Sequence, residues 1–327
     1  MYLVTGGAGF IGSNLVASLD DSGHAVVVCD HLGDDGKWQN LAKRELADFI
    51  QPDELFAWLA VHGAELEGIY HLGAISSTTA SDGDAVIENN FLLSLELWRF
   101  CTELEIPFVY ASSAATYGDG SQGFVDDPSP EHLAKLRPLN LYGWSKHLFD
   151  RRVARMVADE QPAPPHWAGL KFFNVYGPNE AHKESMMSVV AKLYPQVADG
   201  QPAKLFKSHH PDYEDGGQLR DFVYVQDCVD IARWAMEQAP ASSLYNVGTG
   251  TARSFADLAT ATMKAAGVEP KIEYIDMPEA IRDRYQYYTE ADLTRLRDAG
   301  YTEPMTDLET GITTYVQDYL ATDDPYR

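Results

Sequence analysis

Thr5-Gly6-Gly7-Ala8-Gly9-Phe10-Ile11-Gly12 decides how this chain is read. Three apolar residues, Tyr2-Leu3-Val4, precede it. Ser13-Asn14-Leu15-Val16-Ala17-Ser18-Leu19 follows, with apolar residues at helical spacing. The segment predicts strand, tight turn and helix. Glycines at 7, 9 and 12 fit the G-x-G-x-x-G dinucleotide fingerprint, and glycines at 6, 9 and 12 fit G-x-x-G-x-x-G equally well. Both spacings serve the same physics. Glycine tolerates backbone angles that a Cβ forbids and lets the main chain approach a pyrophosphate. A helix starting near Phe10 aims free N–H groups and its positive dipole end at that anion. Gly12 lets the helix pack closely on the sheet.

Working outward, Ala25-Val26-Val27-Val28-Cys29-Asp30 predicts a second strand, apolar throughout as a parallel strand covered on both faces should be. It ends in Asp30, 18 residues after Gly12, where an acid can take ribose hydroxyls. His31 and Lys37 follow and can place positive charge near a 2′-phosphate, which favours NADP or tolerance of both nicotinamide cofactors. Ala47-Asp48-Phe49-Ile50 predicts a third strand near the adenine. Gly68-Ile69-Tyr70-His71-Leu72-Gly73-Ala74 predicts a fourth, ending in small residues, with His71 read as a packing or hydrogen-bonding residue. A helix is expected from Glu88 through Trp98, with Asn89 tying backbone around the site.

Pro107 to Ser113 predicts a fifth strand that runs into Ala114-Ala115-Thr116-Tyr117-Gly118. Tyr142-Gly143-Trp144-Ser145-Lys146 then opens a helix. Residues four apart share a helix face. A lysine ammonium beside a tyrosine favours the phenolate, so Tyr142 can take a proton from a substrate hydroxyl, and Lys146 can also hold the nicotinamide ribose. A serine from the fifth strand, Ser113, completes the set. The sixth strand is expected over Leu170 to Val175. Further on, helices are expected over Asp227–Gln238, Phe255–Ala266 and Glu290–Ala299, the last stopped by Gly300.

Composition narrows the class. The chain has 327 residues, enough for two domains or one large α/β unit. Its net charge of −24 disfavours nucleic acid and anionic membranes as partners. The three cysteines, Cys29, Cys101 and Cys228, form no C-x-x-C, which fits buried thiols in a reducing compartment and no metal site. The first strand begins at the second residue, leaving no room for a signal peptide, and no apolar run approaches the roughly 18 residues that span a bilayer. The expectation is a cytoplasmic protein.

The fingerprint, Ser112-Ser113-Ala114 and Tyr142-x-x-x-Lys146 resemble the extended short-chain dehydrogenase/reductase family of nucleotide-sugar enzymes. Longer strings narrow the resemblance to its ADP-glyceromanno-heptose 6-epimerases. They are Ala111 to Gly118, Phe173-Asn174-Val175-Tyr176-Gly177-Pro178, His182-Lys183-Glu184-Ser185-Met186, Arg220 to Val225, Arg284-Tyr285-Gln286, and Ser76 to Thr79. The resemblance runs from residue 1 to about 320.

It implies a Rossmann-type doubly wound parallel sheet with a second, smaller α/β substrate-binding domain. The cofactor domain would take residues 1–173 and about 219–248, and the substrate domain 174–218 and about 249–327. It implies oxidation and re-reduction at C6″ of an ADP-heptose, a precursor of the lipopolysaccharide core, by tightly bound NADP (or NAD). The family's catalytic positions fall on Tyr142, Lys183, Lys146 and Ser113. Its cofactor positions fall on Gly6, Gly9, Phe10, Ile11, Gly12, Asp30, His31, Lys37, Leu72, Gly73, Ala74, Ile75, Ser76, Asn89, Lys146, Val175 and Lys183. Its substrate positions fall on Ser113, Asn174, Ser185, Lys192, Phe206, Lys207, Ser208, His209, Arg220 and Tyr285, with Arg220 the foremost phosphate ligand. A homo-oligomer is also implied.

The chain departs from the family pattern at three places. His31 stands where members often carry asparagine, and Pro52 where relatives carry a cofactor-binding lysine. His209 to Gly217 is an insertion, read as a polar flap and not as a metal site. Two alternatives stay open: another nucleotide-sugar enzyme, such as a UDP-hexose 4-epimerase or a 4,6-dehydratase, and a non-catalytic NADP-sensing protein. Ala114 and Ala115 occupy the positions where dehydration needs an acid/base pair, and the intact Ser113, Tyr142 and Lys146 set argues against a sensor.

Overall fold

A computed structural model describes residues 1–34, 36–282 and 285–327. Asp35 and Arg284, the latter part of the Arg284-Tyr285-Gln286 string, lie outside the described residues. In chain order the strands are β1 (Tyr2–Thr5), β2 (Val26–Cys29), β3 (Asp48–Ile50), β4 (Gly68–His71), β5 (Phe108–Ser113), β6 (Trp167–Phe172) and β7 (Asn174–Tyr176). They continue as β8 (Ala203–Phe206), β9 (Leu219–Arg220), β10 (Phe222–Tyr224), β11 (Ser243–Val247), β12 (Arg253–Ser254) and β13 (Ile272–Ile275).

Seven strands form one sheet in the order β11-β6-β5-β4-β1-β2-β3, every neighbouring pair parallel. This is the Rossmann-like α/β sheet expected. Its strands are apolar on both faces because helices cover both. Leu3 and Val27 face an apolar cluster containing Leu97 and Trp98, while Val4 and Val28 face another containing Leu15 and Ile231. Burial of each such side chain contributes about 1.5–3 kcal/mol. The chain order reverses between β1 and β4, so a crevice opens at their carboxyl ends, where open α/β sheets bind ligands. Helix Phe10–Asp21 starts on one side of it and helix Leu141–Ala158 borders it from the other.

Three short pairings lie outside the sheet: β7 with β10, β8 with β13, and β9 with β12. A third apolar cluster, with Tyr176, Leu193, Leu258 and Ile312, packs between their helices.

Three expected boundaries differ. The sixth strand begins earlier, at Trp167, and stops at Phe172. Asn174 N–H then donates to Asp221 O at 3.0 Å, and the chain changes partner from the large sheet to β10. The helix expected from Glu88 begins at Gly83, because the Asp82 carboxylate caps it by accepting from Ala85 N–H. It then widens into a π-turn at Glu88–Leu92 before continuing over Leu93–Glu103. The helix expected over Glu290–Ala299 is only Thr294–Asp298. Residues before it spend their backbone on tertiary bonds: Ala291 N–H donates to Asp221 and Asp292 N–H to Phe124 O.

Candidate active site

The glycine turn is built as the fingerprint requires. Gly6 has φ +67°, and a Cβ there would stand 2.6 Å from Gly73 Cα, across the β1–β4 crevice. A Cβ on Gly12 would stand 2.0 Å from Gly6 O. These positions leave a cradle that only bare backbone can form, and a dinucleotide pyrophosphate fits it. Asp30 ends β2 with its carboxylate accepting from Ala8 N–H at 2.9 Å and paired to the Lys37 ammonium at 2.9 Å. Gly6, Gly9, Phe10, Ile11, Gly12, Asp30, Lys37, Leu72, Gly73, Ala74, Ser76 and Val175 line a single cleft of about 660 Å³.

The same cleft brings together the candidate acid/base residues. Ser113, Tyr142, Lys146 and Lys183 all line it, with Asn174 beside them. Tyr142 and Lys146 lie in the first turns of helix Leu141–Ala158, which Asn140 caps by accepting from Gly143 N–H at 2.8 Å. The Ser113 hydroxyl acts on the Tyr142 phenol and lowers its proton affinity. Burial nevertheless holds that phenol above its ordinary value, Ser113 offsetting part of the rise and the Asp150 carboxylate adding to it. Burial pushes Lys146 down to about 8, against the pull of Asp150. Burial thus pushes both groups toward their neutral forms, opposite to the direction expected for Tyr142 beside an ammonium.

Lys183 sits on the turn Ala181–Met186, its ammonium 4.9 Å from the centroid of the Phe10 ring. Burial lowers its proton affinity, with Glu180 opposing. Phe10 thus presents backbone to the pyrophosphate cradle and its ring face to Lys183.

A buried relay stiffens the crevice. Gly73 N–H donates to Thr5 Oγ1, Thr5 lies 2.7 Å from His71 Nδ1, His71 Nε2 lies 2.8 Å from Ser94 Oγ, and Ser94 donates to Asn90 O. Ser94 has spent its proton, so His71 must carry its own on Nε2 and accept at Nδ1. Burial drives His71 down to about 3, in keeping with a neutral ring. His71 is a hydrogen-bonding residue, as its position at a strand end suggested.

The residue that ties backbone around the site is Asn90. It accepts from Ile75 N–H at 2.8 Å, donates to Ile75 O at 3.0 Å, and donates to Ser145 Oγ at 2.9 Å. Asn89 donates to Ala85 O within its own helix and is not on the cleft wall. The two asparagines are adjacent, and only the π-turn selects which one faces Ile75. His31 is exposed, and Ile75 is held through its backbone without lining the cleft.

The structure does not bring every substrate candidate to the wall. Ser185 is exposed, and its carbonyl accepts from Lys192 Nζ at 2.6 Å. Lys207 pairs with Asp276 at 3.1 Å, Ser208 N–H donates to Asp215, and His209 N–H donates to the Tyr287 hydroxyl. Phe206 ends β8. Arg220 is buried, donates to Leu219 O and Gln286 O, and lies 5.3 Å from the Tyr285 ring centroid. Gln286 and Thr289, neither among the expected substrate positions, line the cleft, as do His182 and Met186. Among the described residues no cluster of His, Cys, Asp or Glu could hold a metal, and no helix is long and apolar enough to cross a membrane. All three cysteines are buried and unpaired.

Comparison with known proteins agrees with this geometry. Residues 2–248 match the model of the NAD dependent epimerase/dehydratase family. The chain is 48% identical to an ADP-L-glycero-D-manno-heptose-6-epimerase of Nitratidesulfovibrio vulgaris (strain DP4), over all of both chains. It is 47% identical to the enzyme of that name from Fusobacterium nucleatum, again over all of both chains. Among solved structures it resembles the Helicobacter pylori ADP-L-glycero-D-manno-heptose-6-epimerase, with TM-score 0.79 and 29% identity over 97% of this chain and 95% of that one. It also resembles a Thermus thermophilus UDP-glucose 4-epimerase in complex with NAD, with TM-score 0.71 and 27% identity over 95% and 96% of the two chains. The chain belongs to the NAD dependent epimerase/dehydratase family.

Proposed function

We propose that this chain interconverts ADP-D-glycero-D-manno-heptose and ADP-L-glycero-D-manno-heptose at C6″. The observation that carries the reading is full-length identity of 47–48% to relatives of that name, joined to Ser113, Tyr142, Lys146 and Lys183 on one cleft. The nicotinamide, when bound, supplies the group that accepts and returns a hydride. The chain's own residues manage protons and position. Tyr142 takes the proton of the C6″ hydroxyl, and Ser113 holds that oxygen. Lys146 holds the nicotinamide ribose. The ketone turns over in the cleft, and Lys183 is the second acid/base group, delivering a proton when the hydride returns to the other face. Nothing is consumed, and only the C6″ configuration changes.

NADP is the cofactor in this reading, with NAD accepted. Support comes from Lys37, which neutralises the Asp30 carboxylate where a 2′-phosphate would otherwise meet an unpaired acid. Arg220 and Tyr285 stand for the substrate diphosphate, Arg220 donating to the carbonyl of the cleft residue Gln286, while Asn174 faces the cleft directly. Residues 1–173 with about 219–248 bind cofactor, and 174–218 with about 249–327 bind substrate, as the family resemblance implies. Buried free thiols fit a cytoplasmic enzyme, and the family resemblance supports a homo-oligomer.

The test is to incubate purified protein, without added cofactor, with ADP-D-glycero-D-manno-heptose and separately with UDP-galactose. Conversion of the heptose at C6″ with no net change in nicotinamide absorbance is expected. Turnover of UDP-galactose alone would move the assignment to a 4-epimerase. Turnover of neither, with NADP and NAD supplied, would favour a sensor.

A further inference from the structure

Behind the Ser113 turn lies a buried network that none of the steps above uses. Asp150 sits one helical turn beyond Lys146 and two beyond Tyr142. Its Oδ1 accepts from the Tyr110 hydroxyl at 3.1 Å, and its Oδ2 accepts from the Ser112 hydroxyl at 2.7 Å and the Lys171 ammonium at 2.6 Å. Lys171 is the register partner of Ser112 across β5 and β6. It donates as well to Thr116 Oγ1 at 2.8 Å, and Thr116 donates to the Ser113 carbonyl at 2.8 Å. Neither member of the ion pair has any exposed side-chain surface.

A fully buried ion pair is a poor device for stability alone, because apolar residues of similar volume often do as well or better. This one closes a circuit. The circuit runs from the Tyr142 helix through Asp150, Lys171 and Thr116 to the peptide of Ser113, and returns to Asp150 through the hydroxyl of the adjacent Ser112. A closed circuit of this kind fixes a distance. We propose that Asp150, Lys171 and Thr116 are positioning residues that hold the Ser113 hydroxyl at the Tyr142 phenol. The proposal rests on the reading of Ser113 and Tyr142 as catalytic.

The charge on Asp150 has a second consequence. The titratable groups facing it are Tyr142, Lys146 and His147 on its own helix, Tyr110 and Lys171 from the sheet, and Tyr117 from the turn. His71 faces Lys146 from β4. Asp150 favours the protonated forms of both Tyr142 and Lys146. Neutralising it moves both proton affinities down, so the pH profile of turnover moves toward acid.

Two sets of variants test this. Asp150→Asn with Lys171→Met removes both charges together, so neither is left buried and unpaired. Thr116→Val removes the hydroxyl between Lys171 and Ser113 at nearly constant volume, and Thr116→Ser restores it. The readouts are kcat, KM, cofactor retained on purification, and the pH profile of kcat. For Thr116→Val, kcat should fall about tenfold with KM and cofactor content unchanged, and Thr116→Ser should stay within about twofold, since small misplacements of reacting groups cost up to about 100-fold. The double variant should lose kcat similarly and shift the basic limb set by Lys146 to lower pH. Unchanged kcat in Thr116→Val, or equal losses in the valine and serine variants, would overturn the positioning role. Tyr142→Phe at full activity would instead remove the catalytic reading beneath it.

Discussion

Lys37 places its ammonium 2.9 Å from one carboxylate oxygen of Asp30, while the other oxygen accepts from Ala8 N–H in the glycine turn. The acid that would select an unphosphorylated ribose is thereby half spent on the fingerprint backbone and half on a lysine. Lys37→Gln removes the positive partner and leaves Asp30 to oppose a 2′-phosphate. A charge-assisted hydrogen bond is worth about 1.5–3 kcal/mol, so the preference for NADP over NAD should fall about 10-fold or more. Fluorescence titration of cofactor-stripped protein with each nucleotide measures the ratio. An unchanged ratio would mean that Lys37 only pairs Asp30 and does not read the phosphate.

Tyr142 and Lys146 carry the next expectation, because burial moves them in opposite directions. With Lys146 near 8, its ammonium is present below that pH and lost above it. If the ammonium holds the ribose and supports Tyr142, turnover falls as pH rises through about 8. Lys146→Met should lower kcat and abolish that basic limb. Tyr142→Phe should lose about 10²–10⁴-fold in kcat while retaining cofactor, the range for removing a positioned acid/base group. A basic limb that persists unchanged in Lys146→Met would assign it to another group.

Much of this was legible in the sequence, and the boundary has physical causes. The glycine turn and Tyr142-x-x-x-Lys146 are local: each needs only a strand end or one helical turn, so spacing alone specifies them. The parallel sheet was legible because its strands are apolar on both faces. What spacing could not reveal depends on long-range partners. The first residues of the expected Glu290–Ala299 helix donate instead to Asp221 and Phe124, and nothing local in the sequence opposes a helix there. Spacing alone does not distinguish Asn90 from Asn89, because a π-turn shifts which neighbour faces the site. Asp150 and Lys171 are 21 residues apart and meet only where helix Leu141–Ala158 packs on the sheet. The fall in Lys146 proton affinity follows from burial, which no spacing encodes.

His71 makes the cleft's backing sensitive to acid. Its pKa lies near 3 in the folded chain and near 6.5 when unfolded, so the unfolded chain binds more protons between those values. The stability it contributes is complete above about 6.5 and is lost as pH falls toward 3, at about 1.4 kcal/mol for each pH unit within that window. A second proton would need Nδ1, which already accepts from Thr5, so charging the ring breaks the relay to Gly73. His147, near 4, adds to the same loss, whereas Asp126, raised to about 6 by burial, opposes it between 3.8 and 6. Comparing urea midpoints of wild type and His71→Asn from pH 7 to 5 isolates the His71 part. The wild-type midpoint should fall faster with acid than the variant's. Parallel slopes would place the acid sensitivity elsewhere.

Glu184, next to Lys183, adopts φ +46° and ψ −112°, a conformation L residues rarely take. Its side chain is exposed, so the strain is not offset by packing of its own. Such a conformation costs about 1–3 kcal/mol and persists where the surroundings over-determine it. Here Lys183 N–H donates to Glu180 O and Met187 N–H to Glu184 O, while the buried Glu180 carboxylate accepts from Ser188 Oγ at 2.7 Å. The turn is thus pinned on both sides of Lys183. Glu184→Gly should relieve the strain at an entropic cost of about 0.4–1 kcal/mol, for a net gain of about 1 kcal/mol and a small rise in Tm. Because Lys183 keeps its backbone bond and its place at the Phe10 ring, kcat should change by less than about twofold, well under one power of ten in rate. A fall in Tm would show that Glu184 holds the turn through its side chain. A large fall in kcat at higher Tm would show that the strained backbone itself aims the Lys183 ammonium into the cleft.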